Sequence, residues 1–419
     1  MERRVTFYEE TNFKTTEIGE IPEDWEVVKL GEVAEVTSGG SAPQGEKYFI
    51  NGHNPFVRVQ HIDNTSHRIV SYDLITDEAV IHYRLKKFQR GTIVFPKSGA
   101  SVYLEKRAVL PIDAYLVSHL CAVNTTKVDV MQQYLFYALE NVKLASNKAD
   151  GYPTLNLSEI KKTPIPLPPL EEQKAIAYVL STVQDAREKT EKVINATKQL
   201  KKALMKHLFT YGPVSLEEAE LVNLKETEIG LIPEDWEVTP FREITGRNRY
   251  HAGKVKQSQY RSKGKFPVVD QGQDFIAGFC DEADKVYSGP LPVIIFGDHT
   301  RIFKFVDFPF VLGADGTKLI IPDSIKCNPR YMYYALLNID IPNRGYNRHY
   351  SILRGEKLPL PPLPVQQRIA EILQTVDEKI QAEEKKKQAL DNLFNSMLHM
   401  LMSGKLRVKF RTGEEEESG

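Results

Sequence analysis

What most constrains this chain is a duplication. Thr16-Glu-Ile-Gly-Glu-Ile-Pro-Glu-Asp-Trp-Glu-Val27 returns with one change as Thr227-Glu-Ile-Gly-Leu-Ile-Pro-Glu-Asp-Trp-Glu-Val238, and the two copies hold both tryptophans of the protein, Trp25 and Trp236. Chance does not produce a match of that length, so the chain must fold as one module built twice. Each Ile-Pro-Glu-Asp-Trp reads as a turn whose indole plugs a core.

A second repeated feature closes each module. Pro164-Ile-Pro-Leu-Pro-Pro-Leu-Glu-Glu-Gln173 leads into a helix predicted to run to about Thr210. Pro168 and Pro169 set an extended approach and a first turn, Glu171 and Glu172 place negative charge at the positive helix end, and Gly212-Pro213 supplies the stop. Small or apolar residues recur in steps of three and four, at Ile176, Val179, Val183, Ala186, Thr190, Val193, Thr197, Leu200 and Leu204. A stripe this narrow over about 40 residues, or roughly 60 Å, needs a partner helix of similar length. Leu358-Pro-Leu-Pro-Pro-Leu363 and Val365-Gln-Gln-Arg-Ile-Ala370 begin that partner, with Ile369, Ile372, Val376, Leu390, Leu393 and Met397 at equivalent places and Ser403-Gly404 at its end. Lys379, Glu383 and Lys386 interrupt the second stripe and leave Ile380 as the apolar candidate at its centre.

Between these fixed ends lie short β-branched and aromatic runs, at 55–59, 91–95 and 116–123 in the first module and 266–269, 292–296 and 318–321 in the second, which read as strands. Tyr134-Leu-Phe-Tyr-Ala-Leu139 matches Tyr331-Met-Tyr-Tyr-Ala-Leu336 and reads as a short packing helix. The expected class is α+β, two duplicated mixed α/β domains joined by two long helices. The offset between copies drifts from 211 at the tryptophans to 193 at the Pro-rich stretches, so a constant frame carries different loops. Gly39-Gly40, in an uncharged loop, aligns with Tyr250-His251 in a basic one. Such divergence suits two related but different ligands.

With 419 residues and 41% apolar content the chain can bury two or three cores. Cys121, Cys280 and Cys327 stand far apart without a Cys-x-x-Cys pair, which argues against a zinc site or disulfide framework and for isolated buried thiols. Met1-Glu-Arg-Arg4 leads into polar sequence and no run reaches the length of a membrane span, which predicts a cytoplasmic protein. Formal net charge is only −1, yet residues 81–107 hold seven basic side chains against Glu105 alone, and residues 242–265 hold eight against Glu243 alone.

Catalytic signatures are missing. There is no Gly-x-x-x-x-Gly-Lys-Ser/Thr, no Gly-x-Ser-x-Gly and no Gly-x-Gly-x-x-Gly after a strand. Asn54-Pro-Phe56 falls short of the Asn-Pro-Pro-Tyr/Phe turn of adenine methyltransferases, and Gly297-Asp298-His299 reads as a turn with a surface histidine. Binding chemistry is better represented. Asn343-Arg-Gly-Tyr-Asn-Arg-His-Tyr350 gathers Arg344, Tyr346, Asn347 and Arg348, and arginine can pair with guanine, and asparagine with adenine, in the major groove. The counterpart loop, residues 146–156, keeps Tyr152. Further candidates are Lys86, Lys87, Arg90, Lys97 and Ser98 in the first module, and Arg247, Arg249, Tyr250, Lys254, Lys256, Gln271, Gln273, His299 and Arg301 in the second. Basic residues mixed with amides and aromatics point to nucleic acid more strongly than charge alone.

Two copies of Ile-Gly-x-Ile-Pro-Glu-Asp-Trp, each followed by a variable module, Pro-Leu-Pro-Pro-Leu and a long helix beginning Glu-Glu-Gln or Val-Gln-Gln, resemble the specificity subunit of type I restriction-modification systems over essentially the entire chain. The resemblance implies a non-catalytic reader of double-stranded DNA with two target recognition domains, each reading one half of a bipartite site and directing adenine methylation and cleavage by partner subunits. It implies that the long helices pair as an antiparallel coiled coil, which spaces the domains and docks two methyltransferase subunits. S-adenosylmethionine, Mg2+ and ATP are then expected on the methyltransferase and restriction subunits, and no cofactor on this chain. The boundaries that follow place recognition domains at 1–170 and 213–363, long helices at 171–212 and 364–410, and an acidic tail at 411–419. Two other readings stay open to the residues: a single-chain DNA methyltransferase or nuclease with an unrecognised active site, and a coiled-coil protein-interaction scaffold.

Overall fold

The computed structural model describes residues 4–63, 68–145, 153–246, 249–314, 316–343, 345 and 348–411. They form two compact units, one made of Met1–Lys189 with Lys387–Gly419 and the other of Thr190–Lys386. Both units use the same joint, and the repeated motifs spell it. In the first, the strand Glu26–Lys29 after the tryptophan pairs antiparallel with the Pro-rich strand Pro164–Leu167; in the second, Glu237–Pro240 pairs with Lys357–Leu360. The packing helices Gln132–Glu140 and Pro329–Leu337 lie against these pairs, where the Tyr134 and Tyr331 hydroxyls donate to the Pro166 and Pro359 carbonyls, both at 2.7 Å. Gln173 and Gln366 are each 1% exposed. Their amide oxygens accept from Met131 N–H (2.9 Å) and Asn328 N–H (2.7 Å), and their amide nitrogens donate to the Pro168 and Pro361 carbonyls at 2.9 and 2.8 Å. A buried amide must be satisfied at both ends, which accounts for the glutamine that both helix starts share.

Trp25 and Trp236 plug the two cores, as the sequence predicts, at 0% and 2% exposure. Trp25 shares its core with Leu401 and Met402 at the end of the second long helix, and Trp236 shares its own with Leu208 and Phe209 at the end of the first. The Trp25 indole N–H donates to Glu172 Oε2 at 3.0 Å, so Glu172 is an anchor for the tryptophan as well as a first-turn acid. The same carboxylate binds Arg407, on the strand Leu406–Phe410 that pairs antiparallel with Val5–Glu9. Position 365, the counterpart of Glu172, is valine.

The long helices span Leu170–Tyr211 and Leu363–Met402, and Gly212 and Gly404 stop them in the left-handed region at φ 84° and 68°. They form an antiparallel coiled coil. Arg187–Asp391 (2.6 Å) pairs them within the first unit, and Lys198–Glu384 (2.7 Å) and Lys201–Asp377 (2.6 Å) within the second.

The seam departs from the sequence expectation in register. Thr190 and Ile194 are buried, whereas Val193 and Leu200, counted into the stripe, are 40% and 53% exposed. Lys201 takes the next place inward, with its ammonium 5.3 Å over the Tyr334 ring. In the second helix Phe394 is buried and Leu393 exposed. Lys379 and Lys386 stand at the surface, both paired to Glu383, and Ile380 carries the apolar contact. An α-helix drifts about 20° per heptad from a strict seven-residue count, enough to move a seam by one residue over its length.

Between the joints, the first unit has two four-stranded sheets, ordered Ala108–Val109, Ile93–Pro96, Leu120–Thr125, Ala34–Ser38 and Asp73–Ile75, Asn54–Val57, Ala114–Leu116, Lys87–Phe88. The run expected as one strand at 116–123 is therefore two strands in different sheets. The second unit repeats the plan with Lys254–Val255, Val311–Gly313, Phe266–Val269, Gly278–Cys280 and with Phe303–Val306, Val293–Gly297, Thr317–Ile320. The parallel pairing of Tyr115 with Phe56 recurs as Val311 with Val268. All three cysteines are buried and free.

Candidate nucleic-acid interface

In the second unit the strand Val293–Gly297 ends in a turn that gathers three loops. Asp298, 1% exposed, donates its N–H to the Gly316 carbonyl at 2.7 Å. Its own carbonyl accepts from His349 twice, from N–H at 3.0 Å and Nδ1 at 2.8 Å; a carbonyl only accepts, so Nδ1 carries the proton. Asp298 Oδ1 accepts from Tyr350 N–H at 2.8 Å, and Oδ2 lies 3.5 Å from Lys318 Nζ. Gln271 Oε1 accepts from His299 N–H at 3.2 Å, and the Gln271 carbonyl takes the Thr300 hydroxyl at 2.7 Å. Arg301, at φ 62°, donates from its guanidinium to the Ile341 carbonyl at 2.9 Å.

Four of the expected readers, Gln271, His299, Arg301 and the exposed Arg348 next to His349, thus sit on loops tied to one turn. The expected surface histidine is partly buried, and Asp298 beside it is the tie between strand end and exit loop. The loop that carries Gln271 and the exposed Gln273 is stiffened from below by Lys304, 3% exposed, whose Nζ donates to the Asp274 carbonyl and lies 3.7 Å from Asp270 Oδ1. Burial pulls the Lys304 pKa below its ordinary 10.5, and Asp270 partly restores it.

The first unit repeats the turn with other side chains. Lys97 stands in the place of Asp298: its N–H donates to the His119 carbonyl (2.9 Å) and its carbonyl accepts from Leu155 N–H (2.7 Å). Ser98 Oγ is 2.6 Å from His119 Nδ1, and Gly99 N–H donates to the Pro153 carbonyl at 2.9 Å. His119 was not a candidate from sequence because it lies in the break between the two strands that were read as one. Lys86 and Lys87 are exposed and paired with Glu35 (2.9 Å) and Asp113 (3.8 Å), and exposed Arg90 donates its main-chain N–H to Asp113. These acids temper the positive charge that the sequence concentrates there.

Arg249 and Tyr250 are exposed, and the Tyr250 ring meets that of Tyr287 at 6.3 Å. Lys254 and Lys256 are exposed on and just after the edge strand Lys254–Val255, in the sheet whose strand Phe266–Val269 runs toward Gln271. Tyr152, Arg247, Arg344, Tyr346, Asn347 and residues 412–419 of the expected acidic tail lie outside the described residues. Among the described residues no cluster of His, Cys, Asp or Glu could hold a metal ion, and no helix is long and apolar enough to cross a membrane.

The family model of the type I restriction modification DNA specificity domain matches residues 22–199 and 233–392. The chain is 29% identical to a putative type I restriction enzyme MjaX specificity subunit of Methanocaldococcus jannaschii, over 96% of this chain and 98% of that one. It is 28% identical to the type I restriction enzyme MjaVIII specificity subunit of the same organism, over 96% and 98%. Among solved structures it is similar in fold to a type I restriction-modification system S subunit from M. genitalium, with a TM-score of 0.61 at 18% identity over 90% of this chain and 96% of that one.

Proposed function

The chain belongs to the type I restriction-modification DNA specificity family, and on that footing we propose that it is the DNA-reading subunit of a complex with methyltransferase and restriction subunits. It reads one half of a bipartite double-stranded site with each recognition domain, 1–170 and 213–363, and catalyses nothing itself. The observation that carries this reading is the duplicated strand-end turn: the same backbone bonds hold Lys97-Ser98 in one unit and Asp298-His299 in the other. A repeated scaffold with diverged exposed side chains fits two half-sites of different sequence. Two equivalent joints, built on Gln173 and Gln366, fit two methyltransferase subunits, one at each. S-adenosylmethionine, Mg2+ and ATP belong to those partners and to the restriction subunits, and the complex works on DNA in the cytoplasm.

Within the second domain, the arginines of the exit loop, Arg344 and Arg348, are the readers we assign to base edges, because their planar donors fit them better than a lysine's point charge, while Asn347 between them is given no assignment. Alanine at Arg348 is expected to cost about 1–3 kcal/mol and to relax preference in one half-site only. Selection from randomised half-sites with the methyltransferase partner present tests this. Relaxation in the half read by the first domain, or no change in either, refutes the assignment. Methyl transfer from S-adenosylmethionine by the rigorously purified chain would refute the non-catalytic role.

A further inference from the structure

Glutamine in a DNA interface ordinarily serves adenine, with its amide oxygen accepting from N6 and its nitrogen donating to N7. Gln271 is built differently. Its Oε1 already accepts from the main-chain N–H of His299 at 3.2 Å, and an N–H cannot face the amide's nitrogen end, so the bond fixes which end is which. The amide also sits in a slot that only glycine leaves open: a Cβ on Gly316 would come within 2.5 Å of Oε1 and 2.7 Å of Nε2, and one on Gly297 within 2.9 Å of the Gln271 Cβ. The Gln271 carbonyl holds the Thr300 hydroxyl at 2.7 Å, which closes the turn around it. With Oε1 turned to the His299 N–H, the partly buried side chain offers a ligand its Nε2 end.

We infer that Gln271 is a specificity-determining residue that meets DNA as a donor, through Nε2, and favours a base whose major-groove edge presents acceptors with no donor beside them, guanine or thymine, over adenine, whose N6 amino group would be left without its acceptor. The inference rests on the reading that the second domain contacts DNA. It makes His299 a positioning residue through its main chain, whatever its ring does.

Selection from DNA randomised across the second half-site, using the full chain with its methyltransferase partner, tests it. Wild type is expected to enrich guanine or thymine at the contacted position. Gln271→Glu keeps the shape and the acceptor for His299 N–H but offers DNA a second acceptor, so that position should move to cytosine or adenine by about tenfold, with the first half-site unchanged. Gln271→Met should make the position indifferent. A Gln271→Glu protein that keeps the wild-type base, or a Gln271→Met protein that loses affinity evenly over all sequences, overturns the inference. A wild type that enriches no sequence in either half-site overturns the underlying reading instead.

Discussion

Arg407 joins strands from opposite ends of the chain. Its guanidinium, 7% exposed, meets Glu10 at 2.6 Å, Glu172 at 2.7 Å and Asp24 at 2.8 Å, and lies 5.6 Å from the Trp25 ring. Removing it leaves three carboxylates facing one another, two of them largely buried. Arg407→Ala should therefore destabilise the first unit by about 3–5 kcal/mol in denaturant unfolding. Arg407→Lys should recover little, because one ammonium cannot fork to several acids. A loss below about 1 kcal/mol, the worth of a surface pair, would refute this account. His61 supplies a pH dependence in the same unit. It is buried, accepts the Arg58 N–H on Nδ1 at 3.0 Å and has Nε2 3.5 Å from Asp73. Burial, partly offset by Asp73, holds its pKa below 6.5. The unfolded chain then takes up the proton first, so its contribution is complete above about pH 6.5 and falls as pH drops toward the lowered folded pKa. Between about pH 7.5 and 5.5 the wild type should lose more stability than His61→Gln. Equal losses would place the titrating group elsewhere.

At the scale of elements, the corrected seam register has a one-residue control. Ile194→Ala should cost about 2–4 kcal/mol, as for a buried isoleucine, whereas Val193→Ala, 40% exposed on the same turn, should cost less than about 0.5 kcal/mol. The reverse order in unfolding experiments would restore the sequence-based register. The helices themselves were legible because their starts and stops are spelled by Pro, Glu, Gln and Gly. The register was not, because Lys201 lies inward only by virtue of Asp377 and Tyr334, residues that no helical periodicity reveals. Helix length carries its own prediction. Deleting one heptad from each helix, residues 190–196 and 383–389, shortens each by roughly 10 Å, about three base pairs, and those base pairs also rotate the groove by roughly 100°. Specific binding to the parental site should be lost, with only partial rescue by shorter spacers. Unchanged affinity would mean that the coil does not set the distance between half-sites.

At the scale of the whole molecule, the duplication was legible because its joints tolerate few residue types: an indole to plug a core, an amide bonded at both ends, a glycine at positive φ. The candidate interface was half legible. Polar side chains following apolar strands mark Lys97, Ser98, Gln271 and His299, but what arranges them acts over distance, with Asp298 bonded to a residue 51 positions away and Gln271 to one 28 away. Lys86 and Lys87 looked like uncompensated charge in sequence because Glu35 and Asp113 are remote from the basic run or counted apart from it.

The pairing of Val5–Glu9 with Leu406–Phe410 has a consequence for how the protein is made. The ribosome finishes Thr190–Lys386, a continuous unit, while the first unit still lacks residues 387–410, including Leu401 and Met402 of the Trp25 core. At about 5–20 residues per second the first-made module waits roughly 10–40 s for its last strand. A chain truncated after residue 386 and released from the ribosome should resist protease over 190–386 and be cut within 1–189; protection of both would show that the first module closes without its late partner. Translation thus completes the later-made half first, and the unfinished half is the one that chaperones must guard.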